Sequence, residues 1–123
     1  RWKFTNITNE QISRAIKRMK PYKGTKPGTF PNSIFKQTEN LIMPFIGPLY
    51  RATFSLKHYP EEWAKTTTIV LKKGDKPDYT APNAWRPISL SNGLARLLNS
   101  CIAEELSHKC ETLEILPKNH FGG

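Results

Sequence analysis

Apolar positions along the chain fall into three helix-period stretches and one β-branched run. The first stretch runs from Thr8 to Lys20. Ile12, Ala15, Ile16 and Met19 recur at three and four residues while Arg14, Lys17 and Arg18 face elsewhere, which is the period of an amphipathic helix. Thr8 and Gln11 stand three apart as a capping box, and Ile7 and Ile12 occupy the positions of a hydrophobic staple. Pro21 reads as the stop. Tyr22 to Pro31 shows neither period and reads as a Gly/Pro/Lys loop.

Helical spacing returns from Asn32 to Lys57, with Ile34, Phe35, Leu41, Ile42, Phe45, Ile46, Leu49, Tyr50 and Phe54 as core candidates. Pro44 and Pro48 argue against one unbroken helix. The sequence predicts a short helix over 32–41 and a second starting near Pro44, with Pro48 kinking it or displacing its start. Tyr59-Pro60-Glu61-Glu62-Trp63 reads as a turn with an aromatic anchor. Thr66 to Leu71 is the β-branched run and predicts a strand. A polar turn over Lys72–Asp78 and a loop to Ala84 lead into Trp85–Leu90, predicted to be extended. Leu94, Leu97, Leu98, Cys101, Ile102 and Leu106 then predict a helix capped by Ser91 or Asn92. Ile115-Leu116-Pro117 ends that region, and His120–Gly123 reads as the entry to a further element. The predicted class is α+β, with too few strands for a closed sheet.

Composition narrows the function. A length of 123 residues makes one domain at most, and 37% hydrophobic residues are enough for a core. The mean hydropathy of -0.55 and ten prolines exclude a membrane span, and no signal-peptide core is present. The formal charge is +9, which favours a polyanionic partner. Residues 1–36 hold nine of the 19 basic groups and one of the ten acids, so that preference belongs to the N-terminal third. A merely solvated basic helix fits the same charge. Cys101 and Cys110 make no disulfide framework, which points to a reducing compartment, nuclear or cytoplasmic. Neither Arg1-Trp2-Lys3 nor Phe121-Gly122-Gly123 looks like a natural terminus, so a piece of a longer protein is expected.

The residue patterns carry no familiar catalytic signature. Cys101, His108, Cys110 and His120 form no CxxC or HxxxH pair. There is no GxSxG. Gly24 and Gly28 are too close for a P-loop, and no Lys follows the second. Two-metal nucleotidyl transfer needs converging carboxylates, but Asp75 and Asp78 lie in a Lys-rich turn, and Glu104 and Glu105 point apart on a helix. The chain by itself is therefore not expected to be a catalyst. Lys72, Lys73 and Lys76 follow the strand directly, and Arg86 lies beside Trp85. If those segments pair, Lys and Arg could grip a triphosphate or a nucleic-acid backbone; the plain alternative is ordinary surface charge on a turn.

The residues also carry a resemblance. Trp85-Arg86-Pro87-Ile88-Ser89-Leu90-Ser91-Asn92, with the helix Gly93-Leu94-Ala95-Arg96-Leu97-Leu98-Asn99, resembles the first conserved block of non-LTR (LINE-like) retrotransposon reverse transcriptases. Ile69 to Tyr79 looks like the strand and Lys-rich turn before it. Phe4-Thr5 with Thr8, Glu10 and Ile12 is similar to the family's opening helix, and Tyr59-Pro60 with Trp63 to its "fP..W" turn. Leu116-Pro117-Lys118-Asn119-His120-Phe121-Gly122-Gly123 is similar to its "lP..QFGF" start of the next block. The wording most resembles elements of mushroom-type fungi. The likeness is colinear from Phe4 to Gly123, and its five anchors are specific together where each alone is weak.

The resemblance implies a partial reverse transcriptase domain over 1–123. It would be the helix-rich fingers of a right-hand polymerase up to the palm boundary, with a short strand pair or small antiparallel sheet. Palm and thumb, with the catalytic aspartates, would lie outside this chain. Lys73 (or Lys72) and Arg86 match the residues that contact the phosphates of the incoming dNTP. Arg14, Lys17, Arg18, Lys20, Lys23 and Lys26 would face an RNA or RNA/DNA template-primer. Mg2+ is implied for the intact polymerase, with no cofactor held by this chain. The family loop Lys-Ala-Pro-Gly-Pro-Asp-Gly-Ile-Pro-Asn is matched at Lys23, Pro27, Pro31 and Asn32, but Lys26 replaces its central Gly and Gly28 its Asp. The alternatives are a stand-alone basic RNA-binding or interaction module derived from such a region, or an inactive relic of an element.

Overall fold

A computed structural model describes residues 3–117 and Asn119. Arg1, Trp2, Lys118 and the expected entry element at His120–Gly123 lie outside the described residues. Among the described residues, five α-helices, a short 3-10 turn (Pro82–Ala84) and a two-stranded antiparallel sheet form the elements α1 (Asn9–Arg18), α2 (Asn32–Gln37), α3 (Glu39–Ser55), α4 (Glu61–Ala64), β1 (Thr67–Lys72), β2 (Trp85–Leu90) and α5 (Gly93–Thr112). The architecture is α+β, as the sequence predicts.

Helix α1 starts where its capping box places it. The Thr8 side chain accepts from the Gln11 N–H, and the Gln11 side chain accepts from the Thr8 N–H. Ile7 and Ile12 are both buried in the core, as a staple requires. The helix ends at Arg18, two residues before the predicted limit, because Met19 is already extended (φ -62°, ψ 132°). In α5 the cap is Asn92, whose side chain accepts from the Leu94 N–H.

The predicted break near Pro44 is not there. The chain bends at Thr38 instead, and α3 runs unbroken through both prolines. Pro44 and Pro48 are one helical turn apart and both exposed. The carbonyls they leave unpaired, on Asn40 and Pro44, therefore lie on the water-facing side, where hydration replaces the lost bonds. This register also corrects the core. Ile46 and Tyr50 are buried, and Ile42 and Phe54 pack against the core, but Leu41 (74%), Phe45 (76%), Leu49 and Ile34 are exposed. Leu106 of α5 is exposed as well.

The core lies between α1, α2, α3 and α5. Ile12, Ala15 and Ile16 of α1 meet Leu97, Leu98 and Cys101 of α5, closed by Phe35, Tyr50 and Trp63. The Tyr50 hydroxyl donates to the Leu94 carbonyl at 2.6 Å, and its ring meets Trp63 edge-on at 5.8 Å. Burial pushes the Tyr50 phenol well above its ordinary range. Trp63 is thus the predicted aromatic anchor, carried on the short helix α4. Glu105 is buried and accepts from the Thr5 N–H and hydroxyl at 2.7 and 3.0 Å, fastening the N-terminal segment to α5.

The two strands pair as Thr67↔Leu90 through Lys72↔Trp85. Side chains alternate across the ribbon, and both faces are largely exposed. Val70 is 57% exposed and Leu71 47%, so the ribbon projects from the helical body. A lone two-stranded ribbon is marginal in water. Here the connection over 73–84 stiffens it. The Lys73 N–H donates to the Ala84 carbonyl, the Tyr79 hydroxyl to the Lys73 carbonyl, and the Trp85 indole N–H to the Tyr79 carbonyl, each at 2.9 Å. Pro87 sits within β2 at no cost to a third strand, because both strands are edges.

Candidate nucleic-acid interface

The ribbon separates the cations that the sequence groups together. Leu71 pairs with Arg86 and Lys72 with Trp85, so successive residues alternate between faces. Lys72 lies over the Tyr79 and Trp85 rings, 5.0 and 5.6 Å from their centroids, a cation–π arrangement on one face. Lys73 follows the strand, its N–H bonded to the Ala84 carbonyl. Its ammonium donates to the Asn83 carbonyl at 2.7 Å, and Arg86 is exposed. Lys76 is exposed in the turn. Asp78 is spent on that turn, accepting from the Thr80 N–H and hydroxyl, which hold its carboxyl below the usual carboxylate range.

The helical body places the other basic residues in two ways. Arg14 and Arg18, one turn apart on α1, both reach Glu104 of α5, at 2.6 and 2.7 Å. Those bonds, first from Arg14 and then from Arg18, lower the Glu104 carboxyl below its ordinary range. These two arginines therefore pin α1 to α5 as well as adding charge. Lys17 is exposed, and its carbonyl accepts from the Lys36 ammonium. Arg18, Lys20 and Lys23 line a cleft with Arg96 of α5, a residue to which the sequence assigned no role. Lys26 stands apart from that cleft. Its N–H donates to the Ser91 carbonyl, and its own carbonyl accepts from the Thr29 N–H.

That last bond closes a turn, with Pro27 second and Gly28 third at φ +80°, the pattern of a type II turn. The two departures from the family loop thus form an ordered structure: Gly28 supplies the left-handed residue that the Asp would not favour. The Arg96 guanidinium donates to the Gly24 carbonyl at 3.0 Å, holding the other end of the loop. Nothing in the local pattern around Arg96 signals a partner 72 residues away.

Among the described residues, no group of three His, Cys, Asp or Glu side chains is placed to hold a metal ion. No helix among them is long and apolar enough to cross a membrane. The class defined by these features is an α+β module in which a stiffened cationic ribbon projects from a basic helical body.

No protein-family model matches the chain. Individual relatives do. The chain is 28% identical over 116 residues to the probable RNA-directed DNA polymerase from transposon BS of Drosophila melanogaster, covering 94% of this chain and 13% of that protein. It is 30% identical over 109 residues to the retrovirus-related Pol polyprotein from type-1 retrotransposable element R2 of Popillia japonica, covering 88% and 14%. With the corresponding R1 polyprotein of Bradysia coprophila it shares 21% over 112 residues, covering 91% and 11%. Its homologues are RNA-directed DNA polymerases of non-LTR retrotransposons. The chain spans about an eighth of their length.

Proposed function

We propose that this chain is the fingers region of an RNA-directed DNA polymerase from a non-LTR retrotransposon, holding template and incoming dNTP while the catalytic aspartates lie on a palm outside it. The observation that carries the reading is the gathering of Lys72, Lys73 and Arg86 at the loop end of a projecting ribbon, beside a basic helical body. Lys73 and Arg86 act on the triphosphate, with Lys72 supporting from the aromatic face. Arg14, Lys17, Arg18, Lys20, Lys23 and Lys26 supply the field that attracts the template strand. The sequence wording, Ala84-Trp85-Arg86-Pro87 above all, supports a fungal element.

The test is the salt dependence of single-stranded RNA binding, read by fluorescence anisotropy. Contact of ~4–6 basic groups with phosphates gives a log–log slope of about -3 to -4. Arg86→Ala and Lys73→Ala weaken triphosphate binding in the same assay format while leaving that slope unchanged. A salt-independent RNA affinity refutes the reading.

A further inference from the structure

Strand β1 is paired on one side only: among the described residues the sheet has two strands, and β2 fills one edge of β1. The ladder decides which backbone groups stay open. The Lys73 N–H bonds to the Ala84 carbonyl, and inward-pointing positions alternate along an antiparallel strand. Leu71 and Ile69 therefore turn their N–H and C=O groups to β2, while Lys72, Val70 and Thr68 turn theirs outward. The Thr68 and Ser89 hydroxyls stand 3.4 Å apart, the close approach of a pair without ladder bonds. Pro87, which has no N–H to give, faces Val70 at another such pair. The free edge of β2 is thus blunted by Pro87, whereas that of β1 keeps its donors and acceptors. Thr68 through Lys72 are all exposed, with Ile69, Val70 and Leu71 among them.

An open, apolar, β-branched edge is a template for another strand, and this one is complementary to itself. Laid antiparallel against a second copy about a two-fold axis at Val70, it sets Val70 opposite the partner's Val70 and Thr68 opposite the partner's Lys72. Every outward N–H and C=O of the three positions is then paired. On the other face Ile69 meets the partner's Leu71, and Leu71 the partner's Ile69, an apolar pair on each side of the axis. Lysine does not oppose lysine. The two Lys72 residues lie four positions apart along the ladder, about 13 Å, beyond the ~8 Å screening length at physiological salt. The antiparallel order also carries the Lys72, Lys73 and Lys76 end of each copy toward the end that α4 precedes in the other, where Glu61 and Glu62 are exposed beside Lys65. The ribbon becomes part of a four-stranded sheet, which relieves the marginal stability of a lone pair. We infer that β1 is a dimerisation edge whose partner is the β1 strand of a second copy of this chain. The dimer requires neither template nor dNTP and is independent of the polymerase reading.

The experiment measures self-association of the chain by sedimentation equilibrium up to about 1 mM, because a contact one strand wide is weak, together with amide hydrogen exchange. The wild-type chain is expected to form a dimer. Rising concentration slows exchange at Thr68, Val70 and Lys72 but not at Ile69 and Leu71, whose N–H groups are already paired to β2. Val70→Lys sets two like charges opposite each other at the axis and weakens the dimer by about tenfold or more. Val70→Glu does the same. Mixing the two variants restores association as a heterodimer, because the charges at the axis are then opposite. An unfolded variant does not give that rescue, so recovery on mixing separates lost pairing from lost structure. A chain that stays monomeric throughout the range overturns the inference. So does self-association that Val70→Lys and Val70→Glu both leave at wild-type strength, since it then belongs to another surface, such as the exposed side of α3. Variants that each lose association without regaining it on mixing overturn the two-fold register at Val70.

Discussion

Gly93 opens α5 at the point where that helix meets α2. A Cβ added there would stand 2.7 Å from Phe35 Cε2 and 3.3 Å from the Phe30 carbonyl oxygen. Phe35 is buried in the core and cannot swing aside as a surface side chain would. Overpacking of this kind usually costs ~1–3 kcal/mol, so Gly93→Ala is expected to lower unfolding stability by about 2 kcal/mol in urea. A neutral result would mean that α5 docks less closely than the geometry requires. The residue scale is also where the sequence was least legible. The Leu94–Cys101 stripe is visible in the string, because burial repeats with helical period. The roles of Gly93, Arg96 and Asn32 are not, since each depends on a partner from another element. Cys101 was legible as a buried thiol from its place on the stripe. It is 1% exposed, and burial pushes its thiol up to about 11.

Among the elements, the α1–α5 contact combines an apolar seam with a charged latch. Ile12, Ala15 and Ile16 form the seam with Leu97, Leu98 and Cys101, while Arg14 and Arg18 converge on Glu104. The Glu104 carboxyl is held below its ordinary range in the folded state by hydrogen bonds from Arg14 and then Arg18. Its contribution is therefore complete above the unfolded carboxylate value, near 4.3, and is lost as pH falls through the lower folded value. Glu104→Gln should melt a few degrees below wild type at pH 7, with the gap narrowing as pH falls below the unfolded carboxylate value. The pair is exposed enough that added salt should also narrow the gap. A gap that does not change with pH would assign Glu104 a packing role instead. Element types were legible wherever a local signal decided them: the Thr8/Gln11 box, the β-branched run, the Leu/Cys stripe. The α2–α3 junction was not. Proline chemistry placed the break at Pro44, but the prolines fell on an exposed face where their missing bonds were tolerable, and the chain turned at Thr38.

At the scale of the whole molecule, one apolar set is buried and another is left outside. Leu41, Phe45 and Leu49 recur along one exposed side of α3, and Val70 and Leu71 lie open on the ribbon. Helical spacing alone could not tell these from core residues, because a helix with apolar residues on several sides has no unique inward face. The distinction came only from where α1 and α5 dock. A direct consequence separates the two sets. Phe45→Ser should leave unfolding stability unchanged, within about 0.5 kcal/mol, as for other exposed positions. It should also reduce binding of an apolar dye and concentration-dependent association of the chain. A core phenylalanine behaves oppositely: truncation typically costs ~3–5 kcal/mol. Loss of stability on that scale in Phe45→Ser would mean that α3 presents this side to the core in solution, and the helix register described here would have to rotate.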